Sequence, residues 1–103
     1  MLLVSINHIP GKDFEGLGLV KGCVVQSMHF GKDFMAGMKT LVGGESKGYT
    51  EMLIVARQIA TKRMVDEAEA LGADAVVGLR YASSAVMQGA AEVVAYGTAV
   101  KFV

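Results

Sequence analysis

The residues of this chain that could bind a soft metal are one cysteine, two histidines and a methionine: Cys23, His8, His29 and Met28. Thiolate, imidazole and thioether groups are the ligands that soft metals favour. The chain has no Cys-x-x-Cys or His-x-x-x-His pair, and those spacings are typical of strong zinc sites. Because free cysteines are usually buried, the sequence favours a buried, structural Cys23.

These candidate ligands are also predicted to lie far apart within one chain. Leu2 to Ile9 and Leu17 to His29 are rich in β-formers and are separated by turn residues, which predicts two strands paired as a hairpin. In that hairpin His8 does not reach Cys23, and His29 lies about 20 Å from Cys23 at about 3.3 Å per residue. The metal ligands are therefore unknown, and only a site shared between subunits remains open.

Two glycine-rich stretches could suggest nucleotide binding, but neither has the required context. Gly16 to Gly22 has the wrong spacing for a dinucleotide-binding turn and lies within a predicted strand. In Gly43 to Gly48, Lys47 is not followed by Ser or Thr, as a phosphate-binding loop requires. Ser46 lacks a recognisable base and orienting group. No catalytic or cofactor-binding residue is therefore predicted.

Glu92 is the one carboxylate inside an otherwise apolar predicted strand. It could be a buried acid with a raised pKa, which would suit an enzyme that uses Glu92 or Arg80 in a cleft between subunits. Alternatively, Glu92 could reach solvent or pair with Arg80 or Lys101 of a neighbouring subunit. The pattern favours this second, structural interpretation.

A long amphipathic helix is predicted to position the rest of the chain. From Thr50 to Leu71, apolar residues recur every three or four positions, with charged residues on the opposite side. Ser46 or Thr50 could cap its N-terminus. Gly72 is predicted to end the helix in the left-handed conformation, and an apolar strand follows from Asp74.

Charged residues on this helix are spaced for ion pairs, and a second helix is predicted upstream. Lys62 with Asp66 and Arg63 with Glu67 are i,i+4 pairs, worth a few tenths of a kcal/mol each at most. The shorter helix is predicted from Lys32 to Leu41.

The last two strands are predicted to form a hairpin with one bulky face and one face of small residues. Gln88-Gly89 is a two-residue turn that pairs the strand from Asp74 with the strand from Ala91 to Phe102. The bulky face, which includes Tyr81 and Tyr96, is expected to receive the long helix. The other face is predicted to pack against a neighbouring subunit through Val76, Gly78, Arg80, Ala95, Gly97 and Ala99. An ordinary half-exposed sheet face is the alternative.

Composition predicts a single small domain, residues 1–103, that associates with itself. Of the 103 residues, 52% are hydrophobic and only 19% are charged, so one core of this size leaves apolar surface to be covered. Basic and acidic residues cancel at ten each, which argues against nucleic acid or an anionic membrane as a partner. A single cysteine, with no signal peptide or membrane span recognisable, favours the cytoplasm.

Several segments together resemble the YbjQ family. They are Gly72–Gly78, Met87–Val93, Tyr96–Val100, Asp33–Gly37 with Gly43–Gly44, and Ile9–Gly11. This resemblance covers nearly the whole chain. It implies a small, uncharacterised cytoplasmic protein whose fold resembles the dodecin subunit, a helix packed on an antiparallel sheet, and which assembles as a ring-like pentamer. The family is sometimes labelled heavy-metal-binding, and the resemblance carries over no ligand motif.

The sequence therefore predicts an α+β fold, with one long helix and one short helix packed on a mostly antiparallel sheet. The resemblance adds that this unit is dodecin-subunit-like and assembles into a ring-like oligomer. The predicted function is that of a non-enzymatic, homo-oligomeric cytoplasmic protein without a cofactor, with its own copies as partners. The alternative is a soft-metal or small-ligand binding module with sites between subunits.

Overall fold

The computed structural model of the protein describes residues 1–28 and 47–103. In order, its elements are β1 (Leu2–Leu3), β2 (Phe14–Ser27), α1 (Lys47–Ala70), β3 (Ala75–Met87) and β4 (Ala90–Phe102). The strands form one four-stranded sheet in the order β1-β3-β4-β2. β1 runs parallel to β3, and the other neighbours are antiparallel. One helix on a mixed sheet confirms the predicted α+β class.

Two predicted features fall outside the described residues. They are the short helix from Lys32 to Leu41 and Ser46 as a candidate N-cap of the long helix. In the structure α1 begins at Lys47, so Thr50, the other candidate N-cap, lies inside the helix and does not cap it.

The buried residues of α1 recur at every fourth position and form one stripe along the helix. Its members are Met52, Ala56, Ala60, Met64 and Ala68. All of them except Met52 belong to one core cluster with Val20 and Val24 from β2 and Val93, Ala95 and Ala99 from β4. Three of the five helix residues are alanine, which lets the helix backbone approach the sheet closely.

The closest approach of the helix to the sheet is at Gly22 in β2. A Cβ built on Gly22 would fall on the backbone of α1, against the carbonyl oxygen of Ala60 and the amide nitrogen of Met64. Only glycine leaves room for the helix at this position. This contact therefore fixes where α1 lies on the sheet, mainly across β2 and β4.

Gly72 ends the helix as predicted. Its φ is +78°, in the left-handed region that favours glycine. The N–H of Gly72 donates to the carbonyl of Glu69 at 2.9 Å, and the N–H of Ala73 donates to the carbonyl of Ala68 at 3.1 Å. These two bonds define a Schellman motif, which satisfies carbonyls at the helix end.

The predicted hairpin between the first two strands is wrong. β1 spans only Leu2–Leu3 and pairs in parallel with Ala75 and Val76 of β3, while β2 pairs with β4. The segment after β1 continues along β3, since the N–H of Val4 donates to the carbonyl of Val76 at 2.9 Å. Val4 then packs with the buried residues of a second cluster, which are Ala75, Val77 and Val100. The N-terminal residues are thus held by burial against β3 and β4 rather than by a local turn.

The turn of the last hairpin is confirmed, but its predicted register is wrong. β3 ends at Met87 and β4 begins at Ala90, with Gly89 at a φ of +74°. The pairing shifts between Val77 and Arg80 and again between Ala85 and Met87. Each shift moves later side chains to the opposite face of the sheet.

The helix lies on the face of small residues, so the predicted roles of the two faces are reversed, and the register shifts bring Tyr81 to the helix side. Tyr81 lies opposite Ala95 and reaches the helix, whereas Tyr96 lies opposite Arg80 on the other face. Val76, Ala95 and Ala99 were predicted to contact a neighbouring subunit, but they have no exposed surface and pack in the core with α1. Their small size serves the close approach of the chain's own helix. Sequence could not separate the two possibilities, because any closely packed partner favours small residues.

Replacing Gly22 with alanine should test the close approach of α1. The new methyl group meets helix backbone rather than a movable side chain, so we expect the free energy of unfolding to fall by about 3 kcal/mol. Gly16→Ala on the same strand is the control, because a Cβ there meets nothing within 4 Å. It should change the stability by less than about 0.5 kcal/mol. Urea unfolding at one protein concentration measures both, and equal losses would contradict the packing described.

Candidate functional site

The sheet face opposite α1 carries an exposed apolar surface. Its residues come from alternate positions of two paired strands: Leu19, Lys21, Cys23 and Val25 from β2, and Glu92, Val94, Tyr96 and Thr98 from β4. Among the described residues, Leu19 is 64% exposed, Val25 58% and Tyr96 39%. Large side chains exposed together on one face of a sheet are typical of a contact surface. We call this set of eight residues the open sheet face.

A thiol and a carboxylate meet on the open sheet face. The Sγ atom of Cys23 donates to Oε2 of Glu92 across the strand pair at 3.5 Å. Partial loss of solvent around the sulfur raises the pKa of the Cys23 thiol, and the hydrogen bond to Glu92 and the charge of that carboxylate raise it further. The nearby Arg63 guanidinium acts in the opposite direction. The expectation that Cys23 is buried is wrong, since the residue as a whole is exposed on the open sheet face. This thiol is therefore accessible but held in its protonated form.

Two charged side chains of α1 cover the outer edge of β2. Nη1 of Arg63 donates to the carbonyl of Cys23 at 2.7 Å, and Oε1 of Glu67 accepts from the N–H of Lys21 at 3.3 Å. The predicted ion pair between Arg63 and Glu67 is replaced by these contacts with the strand. The other predicted pair does form, with 3.0 Å between Nζ of Lys62 and Oδ2 of Asp66.

The candidate metal ligands do not converge in one chain. His8 lies in the exposed segment before β2, while Met28 follows the far end of that strand. His29 lies outside the described residues. Within residues 1–28 and 47–103, no group of three or more His, Cys, Asp or Glu side chains could hold a metal ion. Cys23 and Glu92 are the one thiol–carboxylate pair in this part of the chain.

The remaining residues of the predicted subunit interface lie around the bulge in β3. Gly97 is buried, and a Cβ there would crowd Cγ1 of Val76. Gly78 takes a φ of +62° at the bulge. Nη1 of Arg80 donates to the carbonyls of Ser5 at 2.8 Å and Leu79 at 2.9 Å. Arg80 therefore fastens the N-terminal segment to β3.

Lys101, which was considered with Arg80 as a partner of Glu92 from a neighbouring subunit, has contacts within its own chain. Its Nζ lies 3.7 Å from Oδ2 of Asp74 and 3.4 Å from the carbonyl of Gly72. The same Asp74 oxygen accepts from the N–H of Phe102 at 2.8 Å. These contacts join the end of the helix to the end of the last strand.

A shallow groove of about 530 Å³ runs between one flank of α1 and β3. It is lined by Ile54, Arg57, Gln58, Thr61, Lys62 and Tyr81. The hydroxyl oxygens of Thr61 and Tyr81 lie 2.8 Å apart and hydrogen-bond across it. The groove exists because α1 is centred on β2 and β4 and leaves the second half of β3 uncovered.

Sequence reasoning missed the open sheet face and the side chains that cover the β2 edge. The alternation in β2 was present, with Val20, Gly22 and Val24 on one side and Leu19 and Val25 on the other. Both sets are largely apolar, however, so hydrophobicity alone did not indicate which side is buried. The glycine at the centre of one set is the signal that could have identified the helix side.

None of the helices in the described ranges is long and apolar enough to cross a membrane. The fold and the open sheet face together define a class of small α+β proteins with a single long helix packed across a four-stranded mixed sheet. A solved structure from Pediococcus pentosaceus, a protein of unknown function in the DUF74 family, has a similar fold. The TM-score is 0.68 at 14% identity, over 100% of this chain and 98% of that one.

Sequence comparison identifies the family. The family model for YbjQ, described as "Putative heavy-metal-binding", matches residues 1–103, so the chain belongs to that family. A UPF0145 protein of Clostridium novyi is 62% identical over 101 residues and covers 98% of both chains. A UPF0145 protein of Alkaliphilus metalliredigens is 59% identical over 103 residues, with full coverage of both. The resemblance to YbjQ predicted from the sequence is confirmed.

The thiol–carboxylate pair predicts how Cys23 reactivity depends on pH. Glu92→Gln removes the carboxylate that raises the pKa of the Cys23 thiol, so the variant should have a lower thiol pKa than the wild type. A larger fraction of thiolate should then be present at a given pH. We expect faster iodoacetamide alkylation of Cys23 and a rate–pH midpoint displaced to lower pH. Glu15→Gln, on an exposed carboxylate of the same strand, is the control and should leave the profile unchanged. A profile unaffected by Glu92→Gln would show that this carboxylate does not control the thiol.

Proposed function

We propose that this chain acts as a homo-oligomer whose subunits meet through the open sheet face. We further propose that it has no catalytic activity of its own. The observation that supports the contact is the joint exposure of Leu19, Val25 and Tyr96 on one sheet face. Burying one large apolar side chain contributes about 1.5–3 kcal/mol. A contact that covers all three therefore favours association, even after the entropy cost of bringing subunits together.

The arrangement that we propose is a ring of five subunits. Such a ring forms when the open sheet face of each subunit contacts a different surface of the next subunit and the rotation closes. The number five rests on what the resemblance to the YbjQ family implies. The excess of apolar residues over charged ones, 52% against 19%, supports self-association in general.

We propose a cytoplasmic location, with copies of the chain as its partners. The single cysteine supports a reducing compartment. The zero net charge gives no basic field that would attract nucleic acid or an anionic membrane.

A second candidate function is the binding of a soft metal between subunits. Cys23 and Glu92 lie on the face that we propose as a contact, so a neighbouring subunit could supply further ligands there. Thiolate suits soft metals and zinc. The description of the matching family as "Putative heavy-metal-binding" also favours this alternative.

Leu19→Lys should separate the subunits without unfolding them. Leu19 is exposed in the single chain, so the charge costs little there, but it would be buried unpaired in the contact. An uncompensated buried charge costs about 3 kcal/mol or more, which corresponds to association roughly 100-fold weaker. Native mass spectrometry should show the full oligomer for the wild-type chain and mainly a species of lower mass for Leu19→Lys.

Glu69→Lys on the exposed side of α1 is the control for that experiment, because it also changes a surface charge. It should leave the oligomer intact. A monomeric wild-type protein would contradict the proposed function. An unchanged Leu19→Lys oligomer would exclude the open sheet face as the contact.

Metal binding has its own test, in which Zn²⁺ or Cd²⁺ is added to protein that has been stripped by chelation. If the second candidate function holds, native mass spectrometry should show a stoichiometric gain in mass that chelation reverses. Cys23→Ser should abolish the gain, since the thiolate is the soft ligand of the pair. Binding that survives Cys23→Ser, or no gain at all, would remove the second candidate.

A further inference from the structure

Among residues 1–28 and 47–103, none pairs with the outer edge of β3 over its second half. Up to Leu79 this edge is occupied by the N-terminal segment, because the N–H groups of Gly78 and Leu79 donate to the carbonyls of Ile6 and Val4. From Arg80 to Met87 every residue is exposed, and within the described residues the backbone of this stretch pairs only with β4.

The other edge of the sheet differs, because side chains of α1 protect it. Arg63 donates to the outward-pointing carbonyl of Cys23, and Glu67 accepts from the outward-pointing N–H of Lys21. Proteins commonly use charged side chains in this way to prevent strand addition. On β3 the stretch from Tyr81 to Met87 contains neither a charge nor a proline. It therefore lacks the features that normally keep a strand edge from pairing.

The outward hydrogen-bonding groups of this stretch follow from the alternation of antiparallel pairs. Lys21 lies opposite Tyr96 and directs its N–H away from β4, so the N–H and carbonyl of Tyr96 point toward β3. Arg80 lies opposite Tyr96, so its backbone N–H and carbonyl point toward β4. The next outward positions are therefore Tyr81, Ser83 and Ala85.

We propose that this open edge pairs with the same edge of a second copy, antiparallel, with Ser83 opposite the partner's Ser83. The proposal rests on the proposed self-association but uses a surface separate from the open sheet face. In this register Tyr81 lies opposite the partner's Ala85. All three outward positions of each strand then bond to outward positions of the other.

A second copy is the occupant that this stretch fits best. The contact is isologous, so the strand must be complementary to itself, and an uncharged strand brings no like charges together. A shift of the register would leave at least one outward residue without an outward partner. The pairing also sets a large side chain, Tyr81, beside a small one, Ala85, at both ends of the contact.

A cysteine at the centre of the pairing tests the proposal. In a Cys23→Ser background, Ser83→Cys should form an intermolecular disulfide on mild oxidation, since Cα atoms of a hydrogen-bonded pair lie about 5.5 Å apart and disulfides span about 4.4–6.8 Å. Ala85→Cys is the matched control, because its two copies would lie about 13 Å apart, four residues along the strands. We expect covalent dimer for Ser83→Cys only. No dimer, or equal dimer for both variants, would overturn the proposal.

Native mass spectrometry of Ser83→Pro gives a second readout. The N–H of Ser83 points outward, so proline removes a bond between copies and none to β4. The assembly mass should fall by a factor of two, while Ser83→Thr, which keeps the N–H, should leave it unchanged. If Ser83→Pro does not fold, the disulfide experiment decides alone.

The outcomes separate this proposal from the proposed function. An oligomer that Leu19→Lys dissociates but Ser83→Pro leaves whole would overturn the edge contact and keep the proposed function. A monomeric wild-type protein would overturn both. If a different polypeptide stays bound to the wild-type protein but not to Ser83→Pro, the edge binds another partner. That result would overturn the proposed pairing with a second copy.

Discussion

The close approach of α1 to β2 at Gly22 is the constraint on which the rest of the structure depends. Because the helix backbone lies against this glycine, the helix presents alanine at Ala56, Ala60 and Ala68 where it faces the sheet. That position in turn brings Arg63 and Glu67 to the outer edge of β2. It also leaves the second half of β3 without a helix above it, which creates the groove.

The parts of the fold that could be predicted from sequence are those set by neighbouring residues. Gly72 terminates the helix and Gly89 forms the hairpin turn, because each needs only a positive φ at one position. The apolar stripe of α1 was predicted for a similar reason, although Leu71 at its end is exposed. Such features depend only on residues that are close together in the sequence.

The parts that could not be predicted depend on residues far apart in the sequence. The parallel pairing of Leu2–Leu3 with β3 has no local signal, since a two-residue strand carries no periodicity. The bulge at Gly78 depends on the N-terminal segment that bonds there, and its effect on parity moved Tyr81 and Tyr96 to opposite faces. The open sheet face was missed because both sides of β2 are largely apolar, and Cys23 and Glu92 were singled out without the cross-strand contact that joins them.

That contact also limits the chemistry of the open sheet face. A thiol whose pKa is raised by its surroundings is a poor nucleophile near neutral pH, and a metal ion must displace its proton before binding. In the single chain, Glu92 accepts a hydrogen bond from the protonated thiol. The same carboxylate could join the thiolate as a ligand once the thiol has lost its proton. A soft metal would therefore compete best where a neighbouring subunit excludes water and adds ligands. In this way metal binding and assembly, which the sequence left as alternatives, would be coupled through one face of the sheet.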